Sequence, residues 1–204
     1  MYLRAIVSLI FLTLVFTGCS SPKRTGVLES YDTLNPVAKG KLHFFEQSKD
    51  ANLSSYTKVL VPPVQVLSLL AENTPQQIKL NNQISAYTTA VYRKMIMKYS
   101  SNYQLVDVGQ KETLVINIFI SLVEVSPEGK SLEEISSVPF KAAQSDSVHL
   151  LIEVRTTDAM GDKLLARSMQ VIEGEKIISK SDVLEFKDLQ KALDKWLDGA
   201  IIKH

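Results

Sequence analysis

Few residues in this chain of 204 have the type and spacing to do chemistry. It has one cysteine, Cys19, and three histidines, His43, His149 and His204. A single thiol cannot close an internal disulfide or build a thiolate zinc centre. None of the histidines lies in a predicted helix with a second metal ligand three or four residues away. His149 shares the polar face of a predicted strand with Glu153 and Arg155, so it reads as a surface histidine. A His149–carboxylate–serine grouping is the one hydrolytic arrangement open to the chain, with Glu153 on the same strand face. The acid pairs Glu133-Glu134 and Asp182 to Glu185 fall in a loop and at a helix start, where solvation or the helix dipole accounts for them. No Gly-x-Ser-x-Gly, His-Glu-x-x-His or Gly-rich phosphate cradle occurs. Aromatics are the remaining candidates. Tyr87, Tyr92 and Tyr99, with Phe119 on a later strand, could line a groove for a partner, sugar or peptide, though aromatics at helical spacing are more often core or its rim. No catalytic residue, cofactor or metal is expected.

The surroundings of Cys19 carry more information. Arg4 is the only charged side chain before it, and residues 5–16 are apolar except for Ser8 and Thr13. About a dozen apolar residues are too few to cross a bilayer core and suit a signal-peptide core. The stretch Phe16-Thr17-Gly18-Cys19 resembles the bacterial lipobox, with Phe16 where leucine is commonest. The resemblance implies cleavage between Gly18 and Cys19 and acylation of Cys19. Several acyl chains anchor a protein stably where one does not, at roughly 0.8 kcal/mol per buried methylene. Ser20, in place of aspartate, implies sorting to the outer membrane, facing the periplasm. Beyond Arg4 the charges balance at 22 against 22. That leaves no basic footprint for nucleic acid and no polybasic membrane grip.

These residues are positioned by a chain in three parts. Residues 1–18 read as the signal peptide, 19–55 as the lipidated cysteine with a tether and an extended lead-in lying over the domain, and 56–204 as a single periplasmic α+β domain. In the lead-in, Val27, Leu28, Tyr31, Leu34, Leu42, Phe44 and Phe45 are too bulky for pure linker. A strand begins at Lys58, is interrupted by Pro62-Pro63 and resumes at Val64. Proline donates nothing to a ladder, which predicts an edge or a bulge there. Residues 75–99 predict a helix, with Thr74 and Gln77 as a capping box and Pro75 at the first position. Its apolar face is Leu80, Ile84, Tyr87, Val91, Met95 and Tyr99. Short and long strands follow over 103–108 and 112–125, then a loop over 126–146. Strands 147–157 and 163–172 form a hairpin around Asp158 to Asp162. A second helix spans about 183–202, capped by Asp182 and Glu185. The expected architecture is a mostly antiparallel sheet of four to five strands with two amphipathic helices on one face.

Thr25-Gly26-Val27-Leu28, Ser30-Tyr31 and Leu34, followed by Tyr56 through the Pro62-Pro63-Val64-Gln65-Val66 stretch, resemble a family of bacterial lipoproteins defined by the domain of unknown function 3313. That resemblance implies an envelope location and a domain type, and no catalytic residues. A looser, architectural resemblance is to the small periplasmic domain of the curli secretion lipoprotein and to lipoprotein activators of cell-wall synthases. Asp158 to Leu165 resembles a turn those proteins share. The expected role is an outer-membrane-anchored accessory or scaffold with an envelope protein as partner. The alternative is a lipid- or glycan-binding lipoprotein, recognisable by a concave pocket between helix and sheet.

Overall fold

The computed structural model describes residues 25–37, 43–67, 74–125, 135–137, 147–176 and 184–200. In chain order the strands are β1 (Asn35–Pro36), β2 (His43–Gln47), β3 (Lys58–Leu60), β4 (Gln65–Leu67), β5 (Gln104–Val106), β6 (Thr113–Val125), β7 (Ile135–Ser137), β8 (Ser147–Asp158) and β9 (Leu164–Lys176). The helices are α1 (Pro75–Tyr99) and α2 (Phe186–Gly199). All strands join one sheet in the order β1-β2-β9-β8-β6-β3-β5, with β4 and β7 also paired to β6.

The long antiparallel ladders β6–β8 and β8–β9 form the centre. Their residues are β-branched and aliphatic at every second position, which suits a pleated, buried surface. The free edge of β6 is shared in turn by β3, β4 and β7. Pairings of β3 with β5 and β6, and of β4 with β6, are parallel, so the sheet is mixed though mostly antiparallel.

Four to five strands is therefore too few. Nine segments pair among the described residues, or eight if β3 and β4 count as one interrupted strand. The surplus comes from β1 and β2 in the lead-in and β7 in the long loop. These three hold too little periodicity to be read from sequence, whereas the short β3, β4 and β5 sit in more continuous apolar runs. The strand opened by Lys58 is interrupted at the prolines as expected; β3 lies between β6 and β5, while β4 pairs with β6 alone among the described residues. Pro62-Pro63 falls in the gap before β4, where no ladder bond is needed. Helix α1 satisfies that gap. Thr89 accepts from the Val64 N–H at 2.9 Å, and Ser85 donates to the Val64 carbonyl at 2.6 Å.

Both helices lie on one face. Helix α1 starts as expected, with Thr74 and Gln77 in a reciprocal capping box. Its buried stripe is Leu80, Ile84, Thr88, Tyr92 and Ile96. The predicted stripe drifts from this towards its end, where Tyr99 is 52% exposed. The displacement follows from α2, which packs Trp196 flat on Tyr92 with ring centres 5.7 Å apart. Helix α2 begins later than the expected 183, at Phe186, and Asp188 Oδ2 accepts from the Glu185 N–H at 2.9 Å. Asp182 is outside the described residues. Leu189, Leu193, Trp196 and Leu197 meet Ile116, Ile118, Ile120, Leu150 and Ile152 in the main core. At the far end of the β8–β9 hairpin, Asp158 Oδ1 accepts from the Met160 and Gly161 N–H groups and closes the expected turn.

Candidate functional site

Period-two alternation puts Phe119, Leu151, Glu153, Arg155, Arg167 and Met169 on the sheet face opposite the helices. The lead-in covers this face. Leu28, Tyr31 and Leu34 pack with Phe44 of β2, Leu151 of β8 and Met169 of β9 into a second core. The chain turns sharply on the way in: Gly26 has φ of 80° and Glu29 of 64°. Positive φ costs glycine nothing and other residues some strain.

Glu153 lies at the centre of this face and is fully buried. Tyr31 donates to its Oε1 at 2.5 Å, and the Thr25 hydroxyl donates to its Oε2. Tyr31 Oη in turn accepts from the Gly26 N–H at 3.1 Å. Burial pushes the Glu153 carboxyl above its ordinary 4.5, while the two hydroxyls act in the opposite direction. Burial first, and the Glu153 carboxylate second, push the Tyr31 phenol up to about 12.

Beside this clasp stands a second one. Arg167 donates to Glu46 Oε2 at 2.6 Å, to the Leu28 carbonyl at 2.7 Å and to the Thr33 hydroxyl. Its planar fork suits such a divided task. The Glu46 carboxyl is held low, chiefly by the Thr33 hydroxyl, with Arg167 adding to it. Directly across the ladder from Arg167, Arg155 pairs with Glu29 at 3.0 Å. Glu153, Arg167 and Arg155 each tie the lead-in to the sheet, and Arg155 also reaches Asp162 of the hairpin turn at 4.0 Å. Chemically the arrangement holds a chain segment, with a buried acid satisfied by hydroxyls.

The expected surface character of this strand face is thus overturned for Glu153, because the lead-in removes it from water. His149 is half-buried, and its cross-strand partners are Val123 and Glu173. Burial lowers its pKa, and Glu173 opposes that shift. Glu153 stands four residues further along β8, about 13 Å away at strand rise. Its carboxylate is already occupied by Tyr31 and Thr25, so His149 and Glu153 form no dyad. Ser121 on the same face is buried, and among the described residues neither its hydroxyl nor His149 Nδ1 has a hydrogen-bond partner.

The aromatic candidates do not converge. Tyr92 is in the main core against Trp196. Tyr87 meets Phe186 edge-on at 5.2 Å and donates to Asp194, which joins α1 to α2. Tyr99 is exposed beneath the Lys98 ammonium, 4.7 Å from the ring centre. Phe119 lies across the sheet, opposite Glu153 in register. A separate cavity of about 570 Å³ opens between the start of α1 and the start of α2, lined by Gln76, Lys79, Leu80, Gln83, Leu184 and Phe186 among others.

Among the described residues no three His, Cys, Asp or Glu side chains gather to hold a metal ion, and no helix is long and apolar enough to cross a membrane. Gly18, Cys19, Glu133, Glu134 and His204 lie outside the described residues.

A two-layer α+β domain with a lead-in clasped to its open sheet face is the class of protein defined here. The chain belongs to the family of proteins of unknown function DUF3313, whose model matches residues 23–200. Thr25, Gly26, Leu28, Tyr31 and Leu34, which carry the sequence resemblance, are the residues of the clasp and the second core. No curated protein matches the sequence. Among solved structures, the chain is similar to the PelC dodecamer from Paraburkholderia phytofirmans at 10% identity and a TM-score of 0.41, over 79% of this chain and 93% of that one. It is similar to a DUF4136 family protein from Bacteroides thetaiotaomicron at 12% identity and a TM-score of 0.39, over 80% and 95%. A hypothetical protein from Chlamydia trachomatis matches at 11% identity and a TM-score of 0.38, over 73% and 99%.

Proposed function

We propose that this protein is a lipid-anchored accessory or scaffold of the bacterial envelope, held at the periplasmic face of the outer membrane through Cys19, and that it acts by binding another envelope protein. The observation that supports this reading is the placement of Cys19. It is the only thiol, it follows Thr17-Gly18 at the end of an apolar run, and it precedes by six residues Thr25, which the sheet holds through Glu153. The buried polar groups of the open sheet face serve to hold the lead-in, which fits a binding domain better than a reaction centre. Crosslinking in intact cells tests the partner. The same envelope protein should be recovered repeatedly with the lipidated chain. Repeated capture of none would count against the reading.

The cavity between α1 and α2 supports a second reading, a carrier for a lipid or glycan. Its volume lies within the range of small-molecule sites. Leu80, Leu184 and Phe186 offer apolar surface, while Gln76, Gln83 and Lys79 offer hydrogen bonds. Native mass spectrometry after gentle purification decides it. A bound mass that disappears with Phe186→Ala supports a carrier, and a clean unliganded mass under several conditions removes it.

A further inference from the structure

The lead-in is attached to the domain in an unusual manner. Among the described residues ahead of β2, which is itself laddered to β9, its only backbone ladder is the two-residue β1, paired with Phe44 and Phe45 of β2. The rest of its polar attachment runs through side chains: Thr25 and Tyr31 to Glu153, Arg167 to Leu28 and Thr33, and Arg155 to Glu29. The first described residue, Thr25, is bonded to Glu153 of β8, the fourth of the seven strands in the sheet path. The chain is therefore fastened near the middle of the open face.

We propose that this clasp limits how the domain sits on the membrane, keeping the α1–α2 layer from lying flat against the bilayer. The proposal rests on lipid anchorage at Cys19. Six residue steps separate Cys19 from Thr25, and a fully extended chain spans at most about 3.6 Å per residue, so the tether reaches about 20 Å. At the level of Glu153 the edge is two strand spacings away on the side of β4, about 10 Å, and three on the side of β1, about 14 Å. Passing the sheet and the helix layer adds roughly 15 Å, since a helix is 10–12 Å across. A path of about 25 Å or more is longer than the tether, so the helices cannot rest flat on the membrane while the clasp is closed. The ends of β8 are no easier, because Asp158 is five residues from Glu153, about 17 Å along the strand. Opening the clasp back to His43, where β2 begins, frees 24 residue steps, about 85 Å of chain. Every orientation is then allowed.

The test uses the full lipidated chain in vesicles carrying acceptor-labelled headgroups. Cys19 is the only cysteine, and lipid occupies it, so an introduced cysteine takes a donor dye alone. Two exposed sites suit: Met97→Cys on α1, and Val37→Cys beside β1. The Met97 dye should lie farther from the bilayer than the Val37 dye, by on the order of 10–20 Å, the depth of a helix packed on a sheet. Twenty Gly/Ser residues inserted between Ser21 and Pro22 leave the fold untouched and should erase that difference. The pair Thr25→Val with Tyr31→Phe should erase it too, with circular dichroism confirming the fold. Equal distances in the parent chain, or no response to the insertion, overturn the clasp. Palmitate incorporation is measured on the same sample. If Cys19 carries no lipid, the anchorage reading falls and the orientation with it. If lipid is present and the distances are equal, only the orientation falls.

Discussion

Tyr31 donates its phenol hydroxyl to the Glu153 carboxylate at 2.5 Å, joining residues 122 positions apart in the chain. The bond ties the lead-in to the central strand of the sheet. Removing it with Tyr31→Phe leaves a buried acid with one donor fewer. That should cost about 1–3 kcal/mol of stability, measured by urea unfolding. A loss below about 0.3 kcal/mol would mean that the hydroxyl has no structural weight.

The same acid makes stability depend on pH. Burial raises the Glu153 pKa in the folded state above its ordinary 4.5. A raised carboxyl binds more protons folded than unfolded, so its contribution is fully present below the unfolded value and is lost as pH rises through the folded one. Glu153→Gln keeps a hydrogen-bonding side chain and removes the charge. It should flatten the pH dependence from 4.5 upward and be no less stable than the parent at pH 7. A parallel pair of stability–pH curves would exclude this.

Arg167 connects three groups at once. Arg167→Met should cost about 1.5–3 kcal/mol, the range for hydrogen bonds to a charged group. Arg167→Lys should restore less than half of it, because one ammonium cannot reproduce a planar fork that divides among Glu46, Leu28 and Thr33. Full rescue by lysine, read from the denaturation midpoint, would show that charge alone matters.

Trp196 is the sole tryptophan and lies against Tyr92 in the main core. Trp196→Ala should lose about 3–5 kcal/mol, as large-to-small core changes do. The parent's Trp fluorescence should shift to the red in one step together with far-ultraviolet circular dichroism. Separate transitions would show that the helix layer and the sheet unfold apart.

Cys19→Ser should leave the domain folded and abolish palmitate incorporation. Labelling that persists in this variant would disprove the lipobox reading.

Much of the scaffold was legible in the residues. Thr74, Pro75 and Gln77 mark the start of α1 because capping is local chemistry. The alternation of Leu114, Ile116, Ile118 and Ile120 marks β6 because it is sustained along one pleat of a thirteen-residue strand. The strands β1, β2 and β7 were hidden, since two to five residues gain their ladder only from distant partners. The clasp was half visible. Bulky Leu28, Tyr31 and Leu34 recur every third residue in an otherwise polar lead-in, which signals a face to cover. Nothing near Glu153 in sequence says that this face is its own.

By itself the sequence determined what depends on neighbours along the chain: the apolar run before Cys19, the helix caps, the hairpin turn and the long strands. Tertiary structure alone decided that Glu153 is buried, that Arg167 has three partners, and that the four aromatic candidates do not meet at one site. Hydrogen bonds between residues over a hundred positions apart depend on how strands are ordered in the sheet. That order is set by the global packing of two cores, which no local pattern encodes.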